Sequence, residues 1–232
     1  MRLDKYLTNH HKDITRSQFS DFIKRGFVTV DGKVVHKPSF DVNDHNEVIL
    51  KKSEVFVSRG GEKLEHALDV FGISVQDKVV VDVGASTGGF TQSVLNHGAK
   101  HVFAYDVGTN QLAAALKMNP QVTSYEQTNI LDVDIPKNDL VVIDVSFTSV
   151  LPILTHLSNQ TKTIIFLLKP QFETTKEKLK KGILKSDKEV SKIIEKTTDH
   201  IKSLSFMILG FSPSPITGKQ GNQEYLIYCQ RS

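Results

Sequence analysis

Residues 79–90 constrain the fold more than any other stretch. Val79, Val80 and Val81 run into Asp82 and Val83, and Gly84-Ala85-Ser86-Thr87-Gly88-Gly89 follows at once. Phe90, Val94 and Leu95 then recur at helical spacing until Gly98. The pattern predicts a strand, a tight glycine turn and a helix N-terminus, where backbone can approach a nucleotide-like ligand. A dinucleotide-phosphate fingerprint needs glycine where Ser86 stands, and a P-loop needs a lysine that Gly89-Phe90-Thr91 lacks. The turn therefore suits a nucleoside without phosphates, and S-adenosylmethionine is the leading candidate. A ligand-free βα turn is the alternative.

Further apolar runs repeat the arrangement. Val102–Tyr105 ends at Asp106 and Val107, about 20 residues past the turn, where a carboxylate grips ribose hydroxyls. Leu112–Met118 reads as a helix and Val122–Tyr125 as a strand, with Asn129 placed to meet an adenine edge. Leu140–Ile143 ends in Asp144, and Thr163–Leu168 ends in Lys169. Buried strands alternating with helices predict an α/β domain with a parallel sheet covered on both faces. Ligands bind beyond the carboxyl ends of such strands, which is where Asp82, Asp106, Asp144 and Lys169 fall. Two further strands, Phe206–Phe211 and Glu224–Cys229, flank a loop able to fold over that edge.

The first 55 residues read as a separate, small α+β module. Leu3, Tyr6 and Leu7 mark one short helix. Thr15 and Gln18 form a capping box for a second, with Phe19, Phe22 and Ile23 as its buried stripe and Gly26 as its stop. Asp31-Gly32 is a hairpin dipeptide. Residues 1–25 hold six Lys/Arg against three Asp/Glu, and cations off an apolar stripe supply sequence-independent phosphate contacts, although a solvated helix face has the same look. His10 and His11 lie in a predicted loop without Cys or His partners, so no metal site is expected. Lys52–Val57 is a short connector, which puts the boundary near residue 55 and the second domain at 56–232. Eight lysines and four acids share residues 176–196, another basic stretch that fits RNA or solvent equally. The single Cys229 and the lack of any run near the ~20 apolar residues that span a bilayer lead to a cytoplasmic, membrane-free expectation.

Two resemblances sharpen this reading. Arg16-Ser17 with Ile23-Lys24-Arg25-Gly26 and Val30-Asp31-Gly32 resembles the S4-type RNA-binding domain first seen in a bacterial small-subunit ribosomal protein. Ser58-Arg59-Gly60-Gly61-x-Lys63-Leu64, the Asp82–Phe90 turn, Asp144-x-Ser146-Phe147, Lys169-Pro170-Gln171-Phe172-Glu173 and Gly221-Asn222-x-Glu224-Tyr225 together resemble the TlyA, or haemolysin A, family. The resemblance implies a Rossmann-like S-adenosylmethionine-dependent methyltransferase domain with a mostly parallel seven-stranded sheet, acting on cytidine 2′-hydroxyls. Its partners would be ribosomal RNA or ribosomal subunits. It implies a catalytic tetrad of Lys63, Asp144, Lys169 and Glu224. Asp82, Gly84, Ala85, Ser86, Thr87, Gly88, Gly89, Phe90, Asp106, Val107, Asn129 and Asp144 would hold the cofactor. Arg2, Arg16, Ser17, Lys24, Arg25 and Arg59 would face RNA. Thr174-Thr175-Lys176-Glu177-Lys178 lacks the glycines the family carries after the Lys-Pro-Gln-Phe-Glu motif. A non-catalytic assembly factor and a membrane-lytic protein are the competing readings.

Overall fold

The computed structural model describes residues 1–11, 14–50 and 56–231. The expected boundary at residue 55 and most of the Lys52–Val57 connector lie outside the described residues.

In the N-terminal module α1 (Leu3–His10) and α2 (Arg16–Lys24) pack on a three-stranded antiparallel sheet of β1 (Val28–Val30), β2 (Lys33–Val34) and β3 (Val48–Leu50), ordered β2-β1-β3. Leu3, Leu7, Phe19, Phe22, Ile23 and Val28 fill its core. Thr15 Oγ1 accepts from the Gln18 amide and Gln18 Oε1 from the Thr15 amide, the reciprocal capping box read in the sequence. Asp31 and Gly32 both take positive φ, 49° and 74°, as a type I′ hairpin requires. His10 belongs to α1 and not to a loop, because its Nδ1 contacts Tyr6 O at 2.8 Å and its ring stacks on Tyr6.

The larger domain runs α3 (Gly60–Val70), β4 (Val79–Val83), α4 (Gly89–Asn96), β5 (His101–Tyr105), α5 (Ala114–Lys117), β6 (Val122–Tyr125), β7 (Leu140–Ile143), α6 (Leu151–Leu157), β8 (Thr163–Leu168), α7 (Asp187–Ser203), β9 (Phe206–Pro213) and β10 (Tyr225–Arg231). Its seven-stranded sheet is ordered β6-β5-β4-β7-β8-β10-β9, and only β10 runs against its neighbours. Side chains alternate along the central strands: Ile164, Phe166 and Leu168 join the layer under α6 and α7, whereas Ile165 and Leu167 join the layer under α3 and α4. Each such side chain contributes about 1.5–3 kcal/mol on burial. The helix expected over Leu112–Met118 shrinks to Ala114–Lys117, since the Ala113 amide is drawn 3.2 Å from Thr87 O, onto the glycine turn.

Two consequences of this topology build the site. Strand order reverses between β4 and β7, so a crevice opens where Gly84 and Asp144 leave the sheet. Because β10 is antiparallel, its first residue pairs with the last residue of β8, Tyr225 with Leu168, which places Glu224 at the same sheet edge as Lys169.

Candidate active site

The glycine turn is rigid and its amides are occupied. Gly84 and Ala85 N–H both donate to Tyr105 O, Ser86 N–H to Asp106 Oδ2 at 2.7 Å, and Gly88 N–H to Ala85 O. Few donors remain for a phosphate, which fits the nucleoside reading. Gly84 (φ 82°) and Gly88 (φ 97°) need the left-handed region, and a Cβ on Gly84 would stand 2.8 Å from Asp144 O. Ser86 is held at φ 48° by the Asp106 carboxylate, whose other oxygen accepts from Gly108 N–H. Asp106 thus sits where a ribose grip belongs while also stapling the turn. Val107 is exposed beside it. Asn129 Oδ1 caps the short 3₁₀ turn at 130–132, leaving its amide NH₂ as the group able to meet a ligand.

Asp82 departs from its expected role. It is fully buried, and Oδ2 accepts from Thr91 Oγ1 at 2.6 Å while Oδ1 has no hydrogen-bond partner among the described residues. Burial pushes its carboxyl up to about 7, against the Thr91 bond and assisted by the nearby Asp144 charge. It supports the turn from beneath and does not line the cleft.

Ala85, Ser86, Thr87, Gly89 and Phe90 line one wall of a large cleft; Asp144, Lys169, Lys63 and Glu224 line its floor. The tetrad resolves into two ion pairs. Lys63 donates to Glu224 Oε2 at 2.5 Å with both side chains almost wholly buried, and Gln171 Nε2 donates to the other Glu224 oxygen at 3.3 Å. Lys169 Nζ lies 2.6 Å from Asp144 Oδ1 and donates to Ser146 Oγ at 2.8 Å. Lys63 reaches the floor because α3 packs backbone against backbone on α4: a Cβ on Gly89 would meet Gly61 N at 2.7 Å. That contact accounts for Gly89, whereas a Cβ on Gly61 would collide with the Phe56 ring.

Two features escaped the sequence reading. Glu173 accepts from Ser149 Oγ (2.5 Å) and from the Val150 amide (2.7 Å), fastening the loop after β7 to the loop after β8. Its motif was visible, its partner was not. Phe147, at φ 63°, is 91% exposed with its ring 5.1 Å from that of Phe172.

The small module meets the cleft edge-on. Thr15, Ser17, Gln18, Asp21 and Phe22 complete its wall, as do Arg59, Lys219 and Gln220. Arg2 and Arg16 converge on the buried Asp4 at 2.9 and 3.1 Å. These guanidiniums, Arg2 first, hold the Asp4 carboxyl down at about 2. Both remain half exposed, as a phosphate-facing pair requires, and Lys24 is exposed. Arg25 does not share that face: it pairs with Asp21 and with Glu62 of α3 and lies over Phe27. Arg59 turns toward Thr217 O. No group of His, Cys, Asp and Glu able to hold a metal occurs among the described residues.

A switch-point cleft, a phosphate-poor glycine turn and a single reversed strand beside the sheet edge define the Rossmann-like, S-adenosylmethionine-dependent methyltransferase class. The comparisons agree. The FtsJ-like methyltransferase model matches residues 56–231, and the S4 domain model matches residues 1–49. The chain belongs to the FtsJ-like methyltransferases, in the TlyA/haemolysin A family that joins this domain to an S4 domain. Hemolysin A of Brachyspira hyodysenteriae is 38% identical, covering 98% of this chain and 99% of that protein. The 16S/23S rRNA (cytidine-2'-O)-methyltransferase TlyA of Mycobacterium tuberculosis strain H37Rv is 35% identical over 99% of this chain and 89% of its own length. A solved Streptococcus thermophilus structure, assigned as a hemolysin, superposes with a TM-score of 0.76 at 37% identity, covering 100% of this chain and 88% of that one. No helix among the described residues is long and apolar enough to cross a membrane.

Proposed function

We propose that the protein methylates the ribose 2′-hydroxyl of cytidine in ribosomal RNA, in the cytoplasm, free or within a ribosomal subunit. The observation that carries this reading is the Lys169–Asp144–Ser146 cluster on the floor of a cleft walled by both the methyltransferase turn and the S4 domain.

S-adenosylmethionine supplies an electrophilic methyl on a sulfonium. The chain's own residues must hold a weakly nucleophilic hydroxyl in line with it and take its proton. We assign this task to Lys169, supported by its burial, its contacts with Asp144 and Ser146, and its opening onto the cleft. Asp144 and Ser146 fix the direction of the Lys169 amine, which orients the hydroxyl through hydrogen bonds and, in its neutral form, accepts the proton. Glu224 holds Lys63, and Gln171 in turn holds Glu224. Phe147 and Phe172 offer aromatic faces on which an unstacked base can rest. Arg2, Arg16, Ser17 and Lys24 supply RNA contacts from the S4 domain.

The test is Lys169→Ala, assayed for methyl transfer to ribosomal RNA and for cofactor binding by calorimetry. Transfer should fall at least ~100-fold, the lower range for a positioned acid or base, while cofactor affinity stays within a few-fold. Near-normal transfer would sink the assignment.

A further inference from the structure

The basic stretch after the second catalytic loop folds into a built surface. Lys180 N–H donates to Ile183 O at 2.9 Å and Ile183 N–H to Lys180 O at 3.1 Å, closing a two-residue hairpin. Its central residues are Lys181 at φ 52° and Gly182 at φ 79°. Glycine, asparagine or aspartate normally occupies such a left-handed position, so a lysine there carries strain that packing must offset. Asn222, only 4% exposed, provides the anchor: its Nδ2 donates to Gly182 O and its Oδ1 accepts from Leu184 N–H, both at 2.9 Å. Leu184 below is buried in the core. Asn222 and Gln220 also line the cleft, and the Gln220 side chain packs against Gly182. The hairpin therefore abuts the rim of the active site.

Lys180, Lys181 and Lys185 are all exposed, and none forms an ion pair among the described residues. Lys178 and Lys192, by contrast, share Glu189 as an ion-pair partner. No acid lies between Leu179 and Ser186. A set of exposed ammonium groups without acidic partners among the described residues, carried on a hairpin anchored at the cleft rim, matches a polyanion whose charges track past that rim.

We propose that the Lys180–Lys185 hairpin is a phosphate-contacting element for RNA, gripping the backbone beside the Gln220–Asn222 rim of the cleft. This rests on the RNA-methyltransferase reading above. The hairpin adds affinity without reading sequence, because ammonium groups meet phosphate as point charges.

The experiment compares the full chain with a Lys180→Gln/Lys181→Gln/Lys185→Gln variant and with its Lys→Arg counterpart. Binding of purified bacterial ribosomal RNA is measured against salt, alongside methyl transfer. Each phosphate contact contributes about 0.7–0.9 to the slope of log K on log salt, so the glutamine variant should lose roughly 2–3 of that slope and show a raised KM for RNA. The arginine variant should keep the slope, and cofactor affinity and melting temperature should stay at the parent values in both. Lys188→Gln/Lys196→Gln, on α7 outside the hairpin, should change the slope less per lysine than the hairpin variant does. An unchanged slope in a folded hairpin variant overturns the proposal, as does an equal loss from the Lys188/Lys196 control. It is overturned too if the glutamine variant loses binding only to phosphatidylglycerol vesicles and not to RNA. Failure of the wild type to methylate any RNA would instead overturn the enzymatic reading, while the salt slope still judges the hairpin.

Discussion

Asp82 shows how a single carboxyl can work against the stability of the fold that needs it. Its folded value, about 7, lies above the ordinary 3.8. The group therefore favours folding most below pH 3.8, and that contribution is lost as pH rises through 7. A tenfold difference in proton affinity between the folded and unfolded chain corresponds to about 1.4 kcal/mol, enough for the trend to be visible in melting curves. Asp82→Asn keeps an acceptor for Thr91 and removes the charge. The variant should melt higher than the parent at pH 8, converge with it near pH 4, and show a flatter profile between. A parallel pair of profiles would mean that Asp82 is not the group responsible. Asp4 illustrates the reverse sign: with its folded value near 2, its contribution is present above pH 3.8 and lost as pH falls toward 2.

Elements translate those local effects into a cleft, and Glu173 is where the loops after β7 and β8 become one unit. It holds Ser149 and Val150 at the head of α6, so the loop carrying Asp144, Ser146 and Phe147 cannot drift from the loop carrying Lys169 and Phe172. Glu173→Gln keeps one acceptor and replaces the other with a donor facing the Val150 or Ser149 donor. Methyl transfer should drop about tenfold to a hundredfold in kcat, since misplacement by an ångström costs on that order, with melting temperature and cofactor affinity little changed. Glu173→Ala should drop further. If kcat holds in both variants, the two loops are positioned by something else. The strand ends were legible in the sequence because apolar runs stop abruptly at Asp82, Asp106, Asp144 and Lys169, and a sheet edge collects such stops. What could not be read were the pairings across that edge. Whether Asp82 points into the cleft or beneath the turn depends on strand pleat, and Glu173's partners lie 23 and 24 residues away in sequence. Arg25 looked like a free cation because its acceptor, Glu62, belongs to the other domain.

At the scale of the whole molecule, that ion pair joins the two domains. Arg25 sits at the end of α2 in the S4 domain, and Glu62 precedes Lys63 in α3. A second tie runs alongside: Gln18 Nε2 donates to Val57 O at 2.8 Å, and the Val57 amide donates to Gln92 of α4 at 2.7 Å. The S4 domain is thus fastened to α3, which carries Lys63, and to α4, which follows the glycine turn. If the tie sets where the two domains stand when RNA arrives, its worth should appear in kcat/KM for RNA and not in cofactor affinity. A double-mutant cycle of Arg25→Gln and Glu62→Gln reads this directly, because each single change breaks the same partly buried inter-domain pair while Arg25 keeps Asp21 when Glu62 is replaced. Coupling of about 0.5–3 kcal/mol is the range for residues in contact. At the upper end, either single variant should lose some tenfold or more in kcat/KM, and adding the second substitution should cost little more. Strictly additive losses would show that Arg25 and Glu62 act independently. Losses confined to thermal stability would show a pair that cements the domains without directing RNA to Lys169.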